Sequence, residues 1–154
     1  MAHIHEKIDF TASVYIVFEN KVLLHRHKRL GIWLPPGGHI ELDEDPNEAV
    51  IREAKEETGL DIELVGYSKK YESAYDSRDL VAPRFLNRHF YDLTRTHEHV
   101  DCVYFATSER GDARHEIVGG EIRWFSREEL EQNPYGVDLD VREHALAALK
   151  EVIG

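Results

Sequence analysis

The chain alternates between segments with strand patterning and segments with helical patterning. A β-branched and aromatic segment, TASVYIVF (11–18), precedes a short polar break and KVLLHRH (21–27), and together they predict a β-hairpin. Further strands are predicted at 62–68, 85–94, 100–107 and 121–125. Within VDCVYFAT the two sets of alternate residues differ in character, as expected for a strand in a sheet; one set is Val100, Cys102, Tyr104 and Ala106. These patterns predict one mixed α/β domain.

Two segments have helical spacing. In the first, Asp45 is a suitable N-cap, Pro46 suits the first turn, and Gly59 can adopt the left-handed conformation that ends a helix. Its core-facing stripe is expected to comprise four residues at helical spacing: Val50, Ile51, Ala54 and Thr58. The second helix is predicted in DVREHALAALKEVIG (140–154), with Asp140 as the N-cap and Glu143 three residues later. The segment KRLGIWLPPGG (28–38) is rich in glycine and proline and is predicted to be a loop.

Composition and charge narrow the class of protein. A chain of 154 residues with 42% hydrophobic residues is expected to be one globular domain, residues 1–154. It has no apolar run of membrane-spanning length and no signal-peptide pattern at its start, and its lone cysteine, Cys102, suits a cytoplasmic location. A net charge of −11 argues against general nucleic-acid binding. An anionic substrate would need a cation between itself and the carboxylates.

The first predicted helix carries a cluster of carboxylates. Glu53, Glu56 and Glu57 are three and four residues apart, so they share one helix face, where their like charges repel each other. Binding of Mg²⁺ or Mn²⁺, which prefer oxygen ligands, would convert this repulsion into affinity. For an isolated E-x-x-E-E segment, a solvated helix surface is the simpler interpretation.

The longer pattern around these glutamates is far more specific. It reads G-x5-E-x7-R-E-U-x-E-E-x-G-U, where U is apolar, and it occupies residues 38–60. Seven of its positions require one residue type, and at typical residue usage a chance match is on the order of one in a hundred million per starting point. Even with the Glu-rich composition taken into account, coincidence is not a serious alternative.

This pattern resembles the signature of the Nudix hydrolase family, and the likeness covers most of the chain. The resemblance implies an α/β/α sandwich, with a mixed β-sheet between helices. It also implies hydrolysis of a nucleoside diphosphate linked to another group, with Mg²⁺ or Mn²⁺ as the cofactor. One small departure is Asp43, which stands where family members often have glycine; its change is not expected to abolish activity.

The resemblance also implies a role for each motif residue. Glu56 and Glu57 would be the main side-chain ligands of the metal, together with the Gly37 carbonyl. Glu53 would bind the metal or help to deprotonate the attacking water, and Glu44 would be an outer ligand. Arg52 is better suited to holding a glutamate in a bidentate pair than to contacting substrate.

Two further features concern substrate and metal. The basic segment HRHKR (25–29) leads toward the motif, and Arg26 is the preferred phosphate-binding residue, together with Gly38. Relatives often add a glutamate from a later loop, and the candidates here are Glu98, Glu116 and Glu121. Glu116 is preferred because glycines flank its segment on both sides, which would let it close over the helix.

Several alternatives remain open. A nucleotide-sensing module without hydrolytic activity is the main one, although such modules tend to have lost motif glutamates. The isopentenyl diphosphate isomerase branch expects a catalytic cysteine, which Cys102 is poorly placed to supply. The pairs His3/His5 and His97/His99 have spacing that could suggest zinc, but ordinary histidines are the expectation.

The substrate is less well defined than the reaction. A small-molecule nucleotide is expected, with nucleoside triphosphates preferred because the chain is short. Tyr71 and Tyr75 hint only slightly at diadenosine polyphosphates. Trp33 and Trp124 are expected to be packing residues rather than platforms for base stacking. A homodimer is left open.

Overall fold

The computed structural model describes residues 5–152, which form a mixed β-sheet with helices on both faces. The strands are β1 (Ile8–Phe18), β2 (Lys21–Arg26), β3 (Trp33–Leu34), β4 (Gly37–His39), β5 (Ile62–Leu64), β6 (Lys69–Lys70), β7 (Arg78–Asp79), β8 (Phe85–Phe90), β9 (Glu98–Ser108) and β10 (Ile122–Ser126). The helices are α1 (Pro46–Thr58), α2 (Arg127–Gln132) and α3 (Leu139–Glu151). Among the described residues, no helix has the length and apolar character needed to cross a membrane.

The main sheet has the strand order β10-β2-β1-β9-β5. In addition, β3 pairs with β2, β4 with β1, and β8 with β9, while β6 and β7 form a separate ribbon. The long β1 and β9 are parallel, from the pair Ile8–Glu98 to the pair Val17–Thr107, whereas the other pairings are antiparallel. The predicted hairpin is confirmed: Val17 lies opposite Val22, and the two turn residues Glu19 and Asn20 have positive φ.

Alternation along β1 divides the core into two halves. On one face, Ala12, Val14 and Ile16 pack with the apolar residues of α1. On the other, Tyr15 and Val17 pack with Val141, Ala145 and Ala148 of α3 and with Leu130 of α2. The sheet therefore lies between helices, as the predicted α/β/α sandwich requires.

The orientation of α1 about its own axis differs from the sequence prediction. Val50, Ala54 and Thr58 are buried as expected, but Ile51 is 41% exposed and Ala49 takes its place in the core. The buried stripe is thus centred nearer to Glu53, which is itself buried. Compared with the prediction, the helix is rotated about its axis so that the carboxylates face the sheet.

Other differences occur where tertiary pairing decides the structure. The segment 28–38, predicted as a loop, contains β3 and the start of β4. Helix α2 was not predicted, although Ser126 and Glu129 form a capping box at its start. The prediction of Asp140 as the N-cap of the last helix is wrong: Asp138 holds that position without a side-chain capping bond. The predicted 62–68 strand shortens to β5.

Candidate active site

Helix α1, which carries the motif glutamates, begins and ends at well-defined residues. At its start, Asp45 accepts a hydrogen bond from the Glu48 backbone N–H at 2.8 Å, and the Glu48 side chain accepts one from the Asp45 N–H at 3.0 Å. At its end, Gly59 has a φ of 77°, and its N–H donates to the Lys55 carbonyl. The helix is therefore stopped one residue after Thr58, with Glu53, Glu56 and Glu57 in its last two turns.

Two glycines of β4 let the glutamates approach the sheet. A Cβ on Gly38 would lie 2.5 Å from a carboxylate oxygen of Glu53, and a Cβ on Gly37 would lie 2.4 Å from the Ala12 carbonyl oxygen of β1. The Gly37 N–H donates a hydrogen bond to Glu57 Oε1 at 2.7 Å. No side chain can replace hydrogen at either position without displacing a neighbour, so both glycines belong to the architecture of the cluster.

The electrostatics of this cluster favour a bound cation. Burial raises the pKa of Glu57 to about 8; the Gly37 hydrogen bond opposes this shift, while the negative charges of Glu53, Glu116 and Glu56 add to it. Burial also raises the pKa of Glu53, with Arg52 opposing the shift. The protein thus assembles carboxylates that resist ionisation together, an arrangement that a divalent cation would stabilise.

The Arg52 side chain points into the carboxylate cluster and links its members. Its guanidinium forms a bidentate pair with Glu44, through Nε at 2.9 Å and Nη2 at 2.6 Å, which lowers the pKa of Glu44. Its Nη1 also donates to Glu53 at 3.0 Å and to Glu56 at 3.2 Å, and its Nη2 donates to the His39 carbonyl. One side chain therefore holds three motif carboxylates and β4.

The donor set fits a hard divalent cation. Glu53, Glu56 and Glu57 offer only carboxylate oxygens, and the adjacent β4 backbone could add a carbonyl oxygen. Mg²⁺ and Mn²⁺ take oxygen ligands of this kind. These residues are therefore suited to hold such an ion.

Of the three distal glutamates, the structure brings one toward the cluster. The negative charge of Glu116 raises the pKa of both Glu53 and Glu57, so its carboxylate lies within electrostatic range of both. Glu98 instead forms a bidentate pair with Arg88 at 2.8 and 2.9 Å. Glu121 pairs with Arg26 at 3.0 Å. Glu116 is exposed on the loop between β9 and β10.

Arg26 lies at the rim of a separate cleft. Its Nε donates to the Gly31 carbonyl at 3.1 Å, while its Nη1 holds Glu121. The cleft has a volume of about 340 Å³ and is bordered by the segment after β2 and by residues 117–121. Residues 117–121 follow Glu116 directly, so the cleft adjoins the loop that carries the distal glutamate. Arg26 would have to exchange Glu121 for a phosphate in order to bind substrate.

The structure also shows a half-buried carboxylate that sequence reasoning missed. Asp101 of β9 accepts hydrogen bonds from Thr11 Oγ1 at 2.9 Å and from Ser13 Oγ at 2.6 Å, and burial raises its pKa. Ser13 is the register partner of Gly37, so Asp101 lies one strand beyond the motif glycines. The available signal was a charged residue within the apolar segment VDCVYF.

The remaining candidate residues, Trp33, Trp124 and Cys102, lie in environments that indicate a structural role. Trp33 packs edge-on against Phe125, and Trp124 donates its indole N–H to the Gly111 carbonyl, which confirms both as packing residues. Cys102 lies in β9, where burial raises the pKa of its thiol, so it lacks the properties of a catalytic thiolate. His3 lies outside the described residues.

Comparison with known proteins establishes the family. The NUDIX domain family model matches residues 8–145. The chain belongs to the Nudix family. A Nudix family hydrolase of known structure from Clostridium perfringens is 36% identical, with a TM-score of 0.79 over 92% of this chain and 96% of that one. A MutT Nudix hydrolase from Burkholderia pseudomallei, 24% identical, shares the fold with a TM-score of 0.67 over 96% of this chain and all of that one.

The names of two curated relatives refer to different substrates. An m7GpppN-mRNA hydrolase, NUDT17 of Xenopus laevis, is 38% identical over 59% of this Nudix chain and 34% of that protein. A probable DHNTP pyrophosphohydrolase of Lactococcus lactis is 28% identical over 71% of this chain and 60% of that protein. The chain therefore spans about a third and about three fifths of the lengths of these two relatives.

Proposed function

We propose that this Nudix protein is a divalent-metal-dependent pyrophosphohydrolase that cleaves a phosphoric anhydride in a nucleoside diphosphate-linked substrate, with nucleoside triphosphates as the preferred class. The observation that carries the proposal is the arrangement of Glu53, Glu56 and Glu57 against Gly37 and Gly38. There, burial and mutual repulsion raise the pKa of Glu57 to about 8. In this proposal, residues 1–154 form one Nudix domain, and the protein acts in the cytoplasm.

The side chains have distinct roles in this proposal. A bound Mg²⁺ or Mn²⁺ would polarise a phosphoryl oxygen and lower the pKa of the attacking water. Glu56 and Glu57 hold the cation, and Glu53 either shares in this or accepts a proton from the water, for which its raised pKa suits it. Arg52 keeps Glu44 and Glu53 in place. Gly37 and Gly38 let β4 approach the glutamates closely, and Arg26 neutralises a phosphate of the substrate.

A substrate panel tests the proposal. The protein is incubated with Mg²⁺ and nucleoside triphosphates, diadenosine polyphosphates, ADP-ribose, a cap dinucleotide and DHNTP, and the products are identified as phosphate, pyrophosphate or nucleotides. Reaction in ¹⁸O-labelled water shows which phosphorus is attacked. Glu57→Gln should reduce kcat by about 100-fold or more, because it removes a metal ligand. Glu63→Gln, a change at an exposed glutamate of β5, should leave kcat unchanged.

Two outcomes would contradict the proposal. Near-normal hydrolysis by the Glu57→Gln variant would remove Glu57 from the mechanism. An absence of product from every substrate, with nucleotide binding retained in calorimetry, would favour the nucleotide-sensing alternative. The presence of all the motif glutamates argues for hydrolysis.

A further inference from the structure

A second group of metal-ligating side chains lies on the face of the sheet opposite α1. We call Asp9, His39 and His99 the Asp9 cluster. The carboxylate oxygen of Asp9 and one ring nitrogen of each histidine all lie within 4.8 Å of one another. Asp9 is 1% exposed and His39 8% exposed, so the cluster is not a solvated surface feature. His39 Nε2 is already 3.2 Å from Asp9 Oδ2.

The strand register brings these residues together. In the parallel β1–β9 pair, Asp9 lies directly opposite His99. In the antiparallel β1–β4 pair, His39 lies opposite Thr11, two residues after Asp9 and on the same face. Three strands therefore each contribute one side chain, and the ring centroids of His39 and His99 are 5.1 Å apart across β1.

The same alternation separates this cluster from the glutamates of α1. Gly38 faces α1 and lies against the Glu53 carboxylate, whereas its neighbour His39 points to the other face of the sheet. The donors differ as well, because two imidazoles and one carboxylate suit Zn²⁺, whereas Mg²⁺ and Mn²⁺ prefer oxygen. The protein thus has two donor sets for two kinds of cation.

We propose that Asp9, His39 and His99 form a transition-metal site that takes Zn²⁺. Ligand atoms around tetrahedral zinc are about 3.3 Å apart, so side-chain adjustments of about 1 Å would close the cluster around the ion.

His97 is the positioning residue of this site. Its Nε2 is 3.2 Å from Asp9 Oδ2, and its Nδ1 is 2.8 Å from the Glu6 carbonyl oxygen. Contacts of this kind orient a metal-binding carboxylate. The spacing of His97 and His99 could suggest zinc, although ordinary histidines were expected. In this site the pair supplies one ligand and one supporting residue, while the other ligands come from β1 and β4.

A metal here would hold the starts of β1 and β9 and the end of β4. The His39 carbonyl also accepts a hydrogen bond from Arg52 at 3.2 Å, so the backbone of β4 is shared between this site and the glutamates. Zinc binding is therefore expected to stabilise the fold, because the three strands are tied by one ion.

The test is zinc binding to the full chain. Chelator-treated protein is titrated with Zn²⁺ by calorimetry in excess Mg²⁺, and one equivalent should bind. Zn²⁺ should also raise the melting temperature, and Co²⁺ in its place should give the visible absorption of a four- or five-coordinate ion. His99→Gln should weaken Zn²⁺ binding by about 100-fold or more, since it removes a direct ligand. The Glu56→Gln/Glu57→Gln variant should still bind one equivalent.

His89→Gln is the matched control. His89 lies opposite His99 on β8, and the centroids of the two rings are 5.7 Å apart. His89 is exposed and its Nδ1 contacts Asn87, so zinc affinity should change far less in this variant than in His99→Gln. Failure of the parent protein to bind Zn²⁺ would overturn the proposal and identify a purely hydrogen-bonded network. Equal affinity in His99→Gln, or loss of binding in the double glutamine variant, would also overturn it. The result for the parent protein decides the question even if His99→Gln does not fold.

Discussion

At the scale of single residues, Arg52 shows how a motif position acts through its neighbours. Its fork holds Glu44 in a bidentate pair and reaches Glu53 and Glu56 as well. A lysine would keep the positive charge but could not make these directed contacts together. The arginine is therefore explained by geometry as well as by charge.

Replacement of Arg52 tests this explanation. Arg52→Lys is expected to raise the Mg²⁺ concentration needed for half-maximal activity by about 10–100-fold, because the ligand carboxylates lose their support. Arg88→Lys changes another bidentate arginine–glutamate pair, with Glu98, and should leave the Mg²⁺ requirement unchanged. An unaltered Mg²⁺ titration for Arg52→Lys would show that the guanidinium is dispensable.

The distal glutamates provide a second test at this scale. Glu116→Gln is expected to lower kcat and raise the Mg²⁺ requirement, because only Glu116 of the three acts electrostatically on both Glu53 and Glu57. Glu98→Gln and Glu121→Gln serve as matched controls, since their carboxylates pair with arginines elsewhere. Mg²⁺ titrations of all three variants make the comparison. A normal Glu116→Gln beside an impaired control would assign the role to another glutamate.

His25 links a single residue to acid stability. Burial, followed by the charge of His115, lowers the pKa of His25 to about 4 from its ordinary 6.5. Between these values the unfolded chain binds a proton that the folded chain does not, so the free energy of unfolding falls as the pH drops. At pH 5 the loss relative to pH 7.5 is about 2 kcal/mol.

Denaturant unfolding at both pH values measures this effect. In the His25→Gln variant the difference between the two unfolding free energies should shrink by about 2 kcal/mol, because the titrating group is gone. Identical pH dependence in the His25→Gln variant and the parent would refute the assignment.

At the scale of elements, the ends of α1 could be predicted from the sequence, whereas the short strands β3 and β4 that precede it could not. The capping box of Asp45 and Glu48 and the left-handed Gly59 are local signals, and both were found as expected. The strands β3 and β4 were missed because their pairing partners, β2 and β1, are separate segments of the chain. Short strands carry little periodicity of their own.

Two glycine substitutions distinguish a structural role at the end of α1 from a role beside the glutamates on β4. Gly59→Ala is expected to lower the unfolding free energy by about 1–2 kcal/mol, because its φ of 77° disfavours a side chain, while kcat is retained. Gly38→Ala is expected to impair kcat and Mg²⁺ binding, since its methyl group would displace the Glu53 carboxylate. Kinetics and denaturant unfolding of both variants are the measurements. Full activity of Gly38→Ala would show that Glu53 can move without loss.

At the scale of the whole molecule, the acidic charge and the carboxylate cluster predict a response to divalent cations. At a Mg²⁺ concentration 100 times its Kd, binding should stabilise the fold by about 2.7 kcal/mol, or roughly 5–10 °C in Tm for a domain of this size. The Glu56→Gln/Glu57→Gln variant should show no such shift. A melting temperature of the parent that is independent of Mg²⁺ would contradict binding at these glutamates.

The sequence by itself determined the family motif, the hairpin, the extent of α1 and the identity of the glutamates, because each depends on residues close together in the chain. Tertiary structure decided how they are used. Packing against β1 rotates α1 so that Ile51 is exposed and Glu53 is buried. The β1–β9 register places Asp9 beside His99, 90 residues away in the chain. Such placements depend on contacts between distant segments, which local patterning does not encode.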